Sequence, residues 1–397
     1  MIPAADLGKL AKGFMKMEPC GMVGNTRNIT EISVPGSNSF GVVRLLAAIL
    51  VVFSHATTIT QGTAVPEPLA ILTGHTLGWH AVNVFFCLSG LLIAVSIERT
   101  ASIIQFLWAR FLRLYPALIA VLFFMFAMGA FVSDGASLSL FAFLDMAART
   151  LILFGDSATL PTVFANNSIA EVINSPVWTL RFEVICYLFL AGLFALMAAF
   201  KHALPKWLSF RVVCLMVLGA CVTHMSYAYD EQTAGFISHI ARFIFTFFIG
   251  VTVWQWRDVV RPNIFMLIAL IVLNGALLFS DVVYAPIQIL LGGYLALYIG
   301  SLNFGAFARF TDGQDYSYGV YITAYPIQQL VYVMLPEASP LINFGLSIML
   351  ALPVSMVFWN LVEKPALKLK SFRIDALIGL LLFGRQKSPT SRLKTQQ

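Results

Sequence analysis

An arginine and a histidine, Arg44 and His55, lie eleven positions apart in one apolar stretch. An α-helix turns by about 100° per residue, so eleven steps return to within about 20° of the same face and advance by about 16 Å. Ionisable side chains at membrane depth are costly and are therefore candidates for function. Histidine suits a general base near neutral pH, and arginine stabilises negative charge. The open alternative is a snorkelling arginine and an interfacial histidine.

Two further arginines, Arg110 and Arg113, lie three residues apart and therefore share a helix face. Guanidinium groups match the geometry of phosphate, so this pair is suited to clamp the phosphates of a cytoplasmic donor. Arginines at the inner end of a membrane helix are also common anchors. The sequence leaves both interpretations open.

A carboxylate follows a tryptophan at the start of another apolar segment, Trp178-Thr-Leu-Arg-Phe-Glu183. Arg181 and Glu183 differ by about 200° around a helix, so they point to opposite faces and are not expected to neutralise each other. A buried Glu183 needs a partner from another helix, which makes it a candidate for catalysis or for a structural ion pair.

The segment Asn83–Gly90 combines a polar residue with a small Ser89-Gly90 pair. Small residues let helices approach closely, so helix packing alone explains this pair as well as a functional role does. Asn83 is costly to bury without a partner and is therefore a candidate for binding or for orienting a neighbour.

The composition excludes an ordinary soluble protein. Of the 397 residues, 59% are hydrophobic and 11% are charged, whereas soluble proteins carry about 25% charged residues. The net charge of +6 does not indicate a nucleic-acid partner, because no basic stripe with interleaved aromatic residues occurs. The five cysteines have no metal-ligand spacing, and four lie in apolar runs that predict buried thiols: Cys87, Cys186, Cys214 and Cys221.

Apolar runs predict an all-α membrane protein, a bundle of about ten transmembrane helices. These lie at 41–60, 79–97, 114–133, 176–199, 211–228, 235–256, 263–280, 284–303, 316–335 and 341–362. With both termini in the cytoplasm, all but three of the 25 lysines and arginines fall on the cytoplasmic side, the exceptions being Arg149, Arg181 and Arg242. We also expect an outer interfacial helix near 139–154, a surface segment at 375–383 and disorder over 385–397.

Together these residues resemble the acyltransferase-3 family of integral membrane acyltransferases. The resemblance runs from Ser39 to Pro365, and the order and spacing of the motifs are more specific than any one motif. The motifs are Arg44 with His55, Asn83–Gly90, Arg110–Arg113 with Tyr115-Pro116, Trp178–Glu183, Tyr316–Tyr321 and Glu363–Pro365. Two positions depart from many members: Asn83 replaces an aspartate, and Ala324 replaces a histidine.

The resemblance implies transfer of an acyl group, usually acetyl, from acetyl-CoA or another acyl-CoA to a hydroxyl of a glycan. No metal is expected. The catalytic candidates are His55, Arg44 and Glu183. The donor candidates are Arg110, Arg113, Ser89 and Tyr115, and the acceptor candidates are Asn83, Trp178, Arg181 and Tyr321. We divide the chain into a cytoplasmic segment (1–38), a ten-span acyltransferase domain (39–366) and a cytoplasmic tail (367–397).

The expected mechanism has His55 as general base or relay, with Arg44 holding the donor or stabilising the charge that builds up on the thioester. Glu183 would orient His55 or the acceptor. The expected location is the plasma membrane, in bacteria the inner membrane. The rival hypothesis is a secondary transporter or flippase with the same polar residues along its pathway. An enzyme that acylates lipids or proteins is a third interpretation, and the acceptor and the oligomeric state stay open.

Overall fold

The computed structural model of the protein describes residues 27–34, 36–100, 102–133, 138–153, 158–203, 205, 207–228, 235–278, 284–372 and 374. The predictions for 375–383 and 385–397 lie outside these residues, as does most of the segment 1–38. The described part of the chain is mainly helical.

Each of the ten apolar segments predicted from the sequence contains an α-helix. In chain order the α-helices are α1 (Ile29–Ile32), α2 (Phe40–Gln61), α3 (Pro68–Thr73), α4 (Leu77–Arg99), α5 (Ile103–Val132), α6 (Leu140–Leu151), α7 (Leu180–Ala199), α8 (Phe210–Ala228), α9 (Phe236–Gln255), α10 (Ile264–Ala276), α11 (Tyr284–Ser301), α12 (Ala306–Asp312), α13 (Ser317–Met334), α14 (Pro340–Phe358) and α15 (Lys364–Lys368). The short helix α6 falls within the predicted outer segment 139–154.

Six stretches of helix among the described residues are long and apolar enough to cross a membrane. They are Phe40–Gln61, Leu77–Arg99, Ile103–Val132, Pro176–Ala199, Phe236–Gln255 and Pro340–Ser371. The all-α membrane fold is therefore confirmed at this level. The count of about ten spans and the cytoplasmic location of both termini stay predictions.

The third predicted span begins earlier than the sequence suggested. Helix α5 starts at Ile103, where the Oγ of Ser102 accepts a hydrogen bond from the backbone N–H of Gln105, and it continues through Pro116. The polar residues between positions 105 and 113 lower the local hydropathy, so the predicted span began only at residue 114. As a result, Arg110 and Arg113 lie within the helix rather than in front of it.

Helices α4 and α9 touch backbone to backbone through two glycines. A Cβ placed on Gly90 would lie 1.8 Å from the carbonyl oxygen of Phe247, and a Cβ on Gly250 would lie 2.0 Å from that of Cys87. Neither position has room for a side chain. The close helix packing that the small Ser89-Gly90 pair predicted is therefore observed at Gly90. The thiols Cys87, Cys186, Cys214 and Cys221 are free and buried, as predicted.

The segment before α7 enters the bundle alongside α13. Residues 158–159 (β1) and 172–174 (β2) form a two-stranded antiparallel sheet, and a 3₁₀ turn at Pro176–Thr179 leads directly into α7. The Gln329 side-chain amide donates to the carbonyl of Val172, and the Asn174 amide donates to the carbonyl of Ile322. This segment therefore runs opposite to α13 and carries the start of α7 deep into the molecule.

Candidate active site

A small cavity lies where α2, α4, α5, α7 and α13 meet. Its lining combines apolar side chains, most of them on α4, with arginine, carboxylate and hydroxyl groups. We call this space the arginine cavity; it is lined by Arg44, Val82, Phe85, Phe86, Ser89, Arg113, Leu114, Thr179, Leu180, Glu183, Tyr318 and Tyr321. The lining gathers five of the predicted site residues: Arg44, Ser89, Arg113, Glu183 and Tyr321.

Arg44 leaves the first turns of α2 and is held by an acidic residue. Its Nη1 donates to Oδ2 of Asp315 at 2.5 Å, and its side chain is 19% exposed. The Nε of Arg44 is buried and has no hydrogen-bond partner among the described residues. A buried N–H without an acceptor is costly, so the contact with Asp315 is the main polar stabilisation of this side chain among the described residues.

Arg113 joins two carboxylates. Its Nη2 donates to Oδ2 of Asp315 at 2.6 Å, and its Nη1 donates to Oε2 of Glu363 at 2.8 Å. The guanidinium also lies 5.5 Å from the ring centroid of Tyr318 and 5.9 Å from that of Trp359. Arg113 is thus fixed by charge-assisted hydrogen bonds and by aromatic neighbours.

Asp315 lies just before α13 and faces both arginines. Its Oδ1 accepts from the hydroxyl of Ser317 at 2.5 Å and from the backbone N–H of Ser317 at 3.2 Å. Burial alone would raise the pKa of Asp315, but Arg113 and Arg44 hold that pKa well below its usual range. The two arginines therefore favour the ionised form of Asp315.

Glu363 reaches the same cluster from a turn of π-helix, Trp359–Glu363, that follows α14. Single π turns occur frequently at functional sites because they redirect side chains. Glu363 is only 1% exposed, and its Oε1 has no hydrogen-bond partner among the described residues. Sequence reasoning named Glu363 only as part of a family motif, and the structure adds its ion pair with Arg113.

Glu183 points into the arginine cavity and accepts a hydrogen bond from the hydroxyl of Tyr187, one turn later on α7. Arg181 instead packs over the rings of Phe182 and Phe236, with centroid distances of 4.7 and 5.4 Å. The two charged side chains thus leave the helix in different directions, as their spacing predicts.

The hydroxyl of Tyr321 closes another side of the arginine cavity. It lies 2.7 Å from Oγ1 of Thr179, and it donates to the carbonyl of Pro176 at 3.2 Å. This pair ties α13 to the turn that precedes α7.

Two donor candidates lie outside this lining. Arg110 donates from Nη2 to the hydroxyl of Ser96 at 3.4 Å, and its buried Nε has no partner among the described residues. The ring of Tyr115 stacks on Phe111 with a centroid distance of 4.6 Å. The structure therefore separates these two from Ser89 and Arg113.

His55 is not among the residues that line the arginine cavity. Its ring packs edge-on against Tyr325 of α13 with a centroid distance of 5.1 Å. The neighbouring Ser54 donates its hydroxyl to the carboxylate of Glu67, which is 5% exposed and also accepts from the N–H of Leu77. The lining of the arginine cavity therefore includes Arg44 but not His55, and the catalytic role of His55 stays a prediction.

The remaining acceptor candidates lie beside α9. The Asn83 carbonyl oxygen accepts from Nε of Arg242 at 3.2 Å, and Arg242, 2% exposed, lies over the ring of Trp79. Trp178 packs against His239 with a centroid distance of 5.2 Å. The sequence assigned no role to Arg242, although its place outside the cytoplasmic charge bias was a signal.

A bundle of apolar helices around a cavity of arginines and carboxylates defines a multi-pass membrane protein with a buried polar site. Residues 37–360 match the family model described as an acyltransferase domain, and the chain belongs to this acyltransferase-3 family. A protein of Shigella phage Sf6 that is named an O-acetyl transferase is 27% identical over 341 residues, or 83% of this chain and 95% of the relative. No solved structure matches the chain.

Proposed function

We propose that the protein is a membrane O-acetyltransferase that moves an acetyl group from acetyl-CoA to a hydroxyl of a glycan. Membership of the acyltransferase family and the similarity to a named O-acetyl transferase support acyl transfer to oxygen. The observation that carries the donor site is the position of Arg44, whose side chain lines the arginine cavity and is held at one nitrogen by Asp315.

The reaction forms one bond and breaks another. The acceptor hydroxyl oxygen attacks the thioester carbonyl carbon, and negative charge builds up on the carbonyl oxygen. When the carbonyl re-forms, the carbon–sulfur bond breaks, the ester is complete, and the thiolate takes up the proton that the hydroxyl has lost. A fixed cation at the developing oxyanion accelerates such a step because it stabilises charge that exists only in the transition state.

Arg44 is our candidate for that cation, since Asp315 holds its Nη1 and its side chain lines the arginine cavity. Arg113 already donates to two carboxylates, so Arg110 is the better candidate for the donor's phosphates. Glu183 lines the same cavity, and we assign it the acceptance of a proton or a hydrogen bond from the substrate.

His55 lies about 16 Å further along α2 than Arg44. Because Arg44 and His55 cannot both contact one reacting centre across that distance, we propose that His55 receives the proton of the acceptor hydroxyl through a relay of polar groups from the outer side. The acetyl end of the donor would then approach from the arginine cavity.

The decisive experiment follows labelled acetyl from acetyl-CoA to glycan. Purified protein in nanodiscs receives [¹⁴C]acetyl-CoA and surface polysaccharide extracted from native host cells that lack this chain. We expect label in the polysaccharide with the wild-type protein and none with His55→Ala or Arg44→Ala. The matched control, His202→Ala, removes an exposed histidine between α7 and α8 and should transfer normally.

Thermal unfolding in detergent would establish that each variant is folded. Label that stays on CoA with the wild-type protein would contradict the proposal and favour the transporter hypothesis, which a vesicle uptake assay with the same polysaccharide would then test. Full activity of a folded His55→Ala variant would remove His55 from the mechanism.

A further inference from the structure

One carboxylate oxygen lies between two guanidinium groups at the edge of the arginine cavity. Oδ2 of Asp315 accepts from Arg44 at 2.5 Å and from Arg113 at 2.6 Å, while Oδ1 is occupied by the side chain and the backbone of Ser317. Each of the two carboxylate oxygens thus accepts two hydrogen bonds from neighbouring groups of the protein. Asp315 is thus built into the site and is not a free acid facing the cavity.

The two arginines depend on Asp315 to different degrees. Arg113 has a second carboxylate partner, Glu363 at 2.8 Å, and two aromatic neighbours. Arg44 has Asp315 as its one ion-pair partner among the described residues. Loss of the Asp315 charge would therefore release Arg44 and leave Arg113 held.

The contact with Asp315 uses only one nitrogen of Arg44. Its Nε is buried without an acceptor, and the side chain lines the arginine cavity. A guanidinium is planar and rigid, so a contact at Nη1 restricts the position of the whole group. The carboxylate thereby helps to determine where the other N–H groups of Arg44 lie.

We propose that Asp315 is a positioning residue for acetyl transfer: it holds Arg44 so that the guanidinium meets the thioester carbonyl oxygen as that oxygen becomes negative. This inference rests on the proposed function. Asp315 itself takes no proton in the reaction, since its pKa is held far below neutrality by Arg113 and Arg44 against the opposing effect of burial. The proton of the acceptor hydroxyl passes to the base and then to the departing thiolate.

A role in the transition state and a role in donor binding predict different kinetics. An interaction that strengthens only in the transition state changes kcat, whereas one that holds the substrate equally in both states changes KM. We therefore expect Asp315→Asn to lower kcat by at least about 10-fold and to change KM for acetyl-CoA by less than about threefold. The assay is the nanodisc transfer reaction with acetyl-CoA and the extracted polysaccharide.

The matched control is Glu98→Gln, which removes the carboxylate of another arginine pair, Glu98–Arg257 at 3.5 Å, away from the arginine cavity. It should leave kcat and KM unchanged. A second variant, Ser317→Ala, keeps all four charges of Arg44, Arg113, Asp315 and Glu363 but removes one support of the Asp315 carboxylate. We expect a several-fold lower kcat with KM unchanged, and this variant decides the matter if Asp315→Asn does not fold.

A double-mutant cycle distinguishes positioning from general structural support. If Asp315 acts through Arg44, then Asp315→Asn added to Arg44→Lys should cause less than about a twofold further loss of kcat. Multiplicative losses in the double variant would overturn the inference. So would a folded Asp315→Asn variant with wild-type kcat, or one in which only KM rises.

Failure of the proposed function has a separate signature. A wild-type protein that transfers no acetyl overturns the proposed function and this inference together. A wild-type protein that transfers acetyl, with an unchanged Asp315→Asn variant, overturns the inference alone.

Discussion

Glu363 and Arg113 form a pair that differs from a surface ion pair in its environment. Glu363 is 1% exposed and the Arg113 side chain is 13% exposed, whereas Glu98 and Arg257 are about 30% exposed, at 29% and 31%. Exposed pairs contribute about 0–1 kcal/mol because water and salt screen them. Removal of one partner of a buried pair costs about 3–5 kcal/mol because the other charge stays buried without compensation.

Asp315 still compensates the charge of Arg113 when Glu363 is replaced, so we expect Glu363→Gln to lower the free energy of unfolding by about 1–3 kcal/mol, and Glu98→Gln by less than about 1 kcal/mol. Thermal or denaturant unfolding in detergent measures both. Equal shifts for the two variants would mean that water reaches Glu363, contrary to its burial.

Asn83 and Arg242 are both 2% exposed and share a hydrogen bond of 3.2 Å. Loss of a buried acceptor costs about 1–3 kcal/mol, so we expect Asn83→Leu to lower stability by that amount. Asn83→Asp keeps the acceptor and adds a charge next to a cation, so it should be at least as stable as the wild type. Unfolding measurements on the two variants test this; a less stable Asn83→Asp would contradict the pairing with Arg242.

Single residues were predictable from the sequence where the signal was local. Arg44 and His55 share one helix, so their spacing alone made them visible. Asp315 was not identified, because its partners Arg44 and Arg113 are 271 and 202 residues away. Only the tertiary fold brings these three charges together.

At the scale of helices, hydropathy located all ten apolar segments because a lipid-embedded helix needs a long apolar run. It failed at the start of α5, where arginines interrupt the run, and at the π turn Trp359–Glu363, which has no hydropathy signature. The proline at position 326 neither ends nor breaks α13. Its fixed φ is compatible with a helix whose neighbours provide compensating contacts.

The contact between α4 and α9 gives a prediction for a single methyl group. A Cβ at Gly90 would lie 1.8 Å from the Phe247 carbonyl oxygen, a backbone atom that cannot rotate away. We expect Gly90→Ala to separate the two helices and to cost about 3 kcal/mol, at the upper end for overpacked sites.

Gly192→Ala is the control, because nothing lies within 4 Å of its Cβ position on α7. Alanine is the better helix former, so this variant should be as stable as the wild type or slightly more stable. Size-exclusion chromatography and thermal unfolding in detergent compare the two. A Gly90→Ala protein as stable as Gly192→Ala would show that the helices do not touch here.

At the scale of the whole molecule, two contacts fix the relative direction of α2 and α13. Arg44 meets Asp315 before the start of α13, and His55 meets Tyr325 further along both helices. The two helices therefore run parallel. In the predicted ten-span topology they are the first and ninth spans, which must point the same way across the membrane.

This topology places the loop after α7 in the cytoplasm and the loop after α13 outside, and it can be tested with two single cysteines. His202 and Glu337 are exposed residues of those two loops. Cys87, Cys186, Cys214 and Cys221 are buried, so only Cys20 needs replacement by serine beforehand.

On intact cells, a membrane-impermeant maleimide should label Glu337→Cys at once and His202→Cys only after lysis, because the charge bias of lysine and arginine orients the bundle that way. The reverse pattern would mean that the molecule has the opposite orientation in the membrane. If both cysteines are labelled from outside, the two loops lie on the same side of the membrane. The segment from α8 to α13 would then cross the membrane an even number of times instead of the five that the ten-span topology requires.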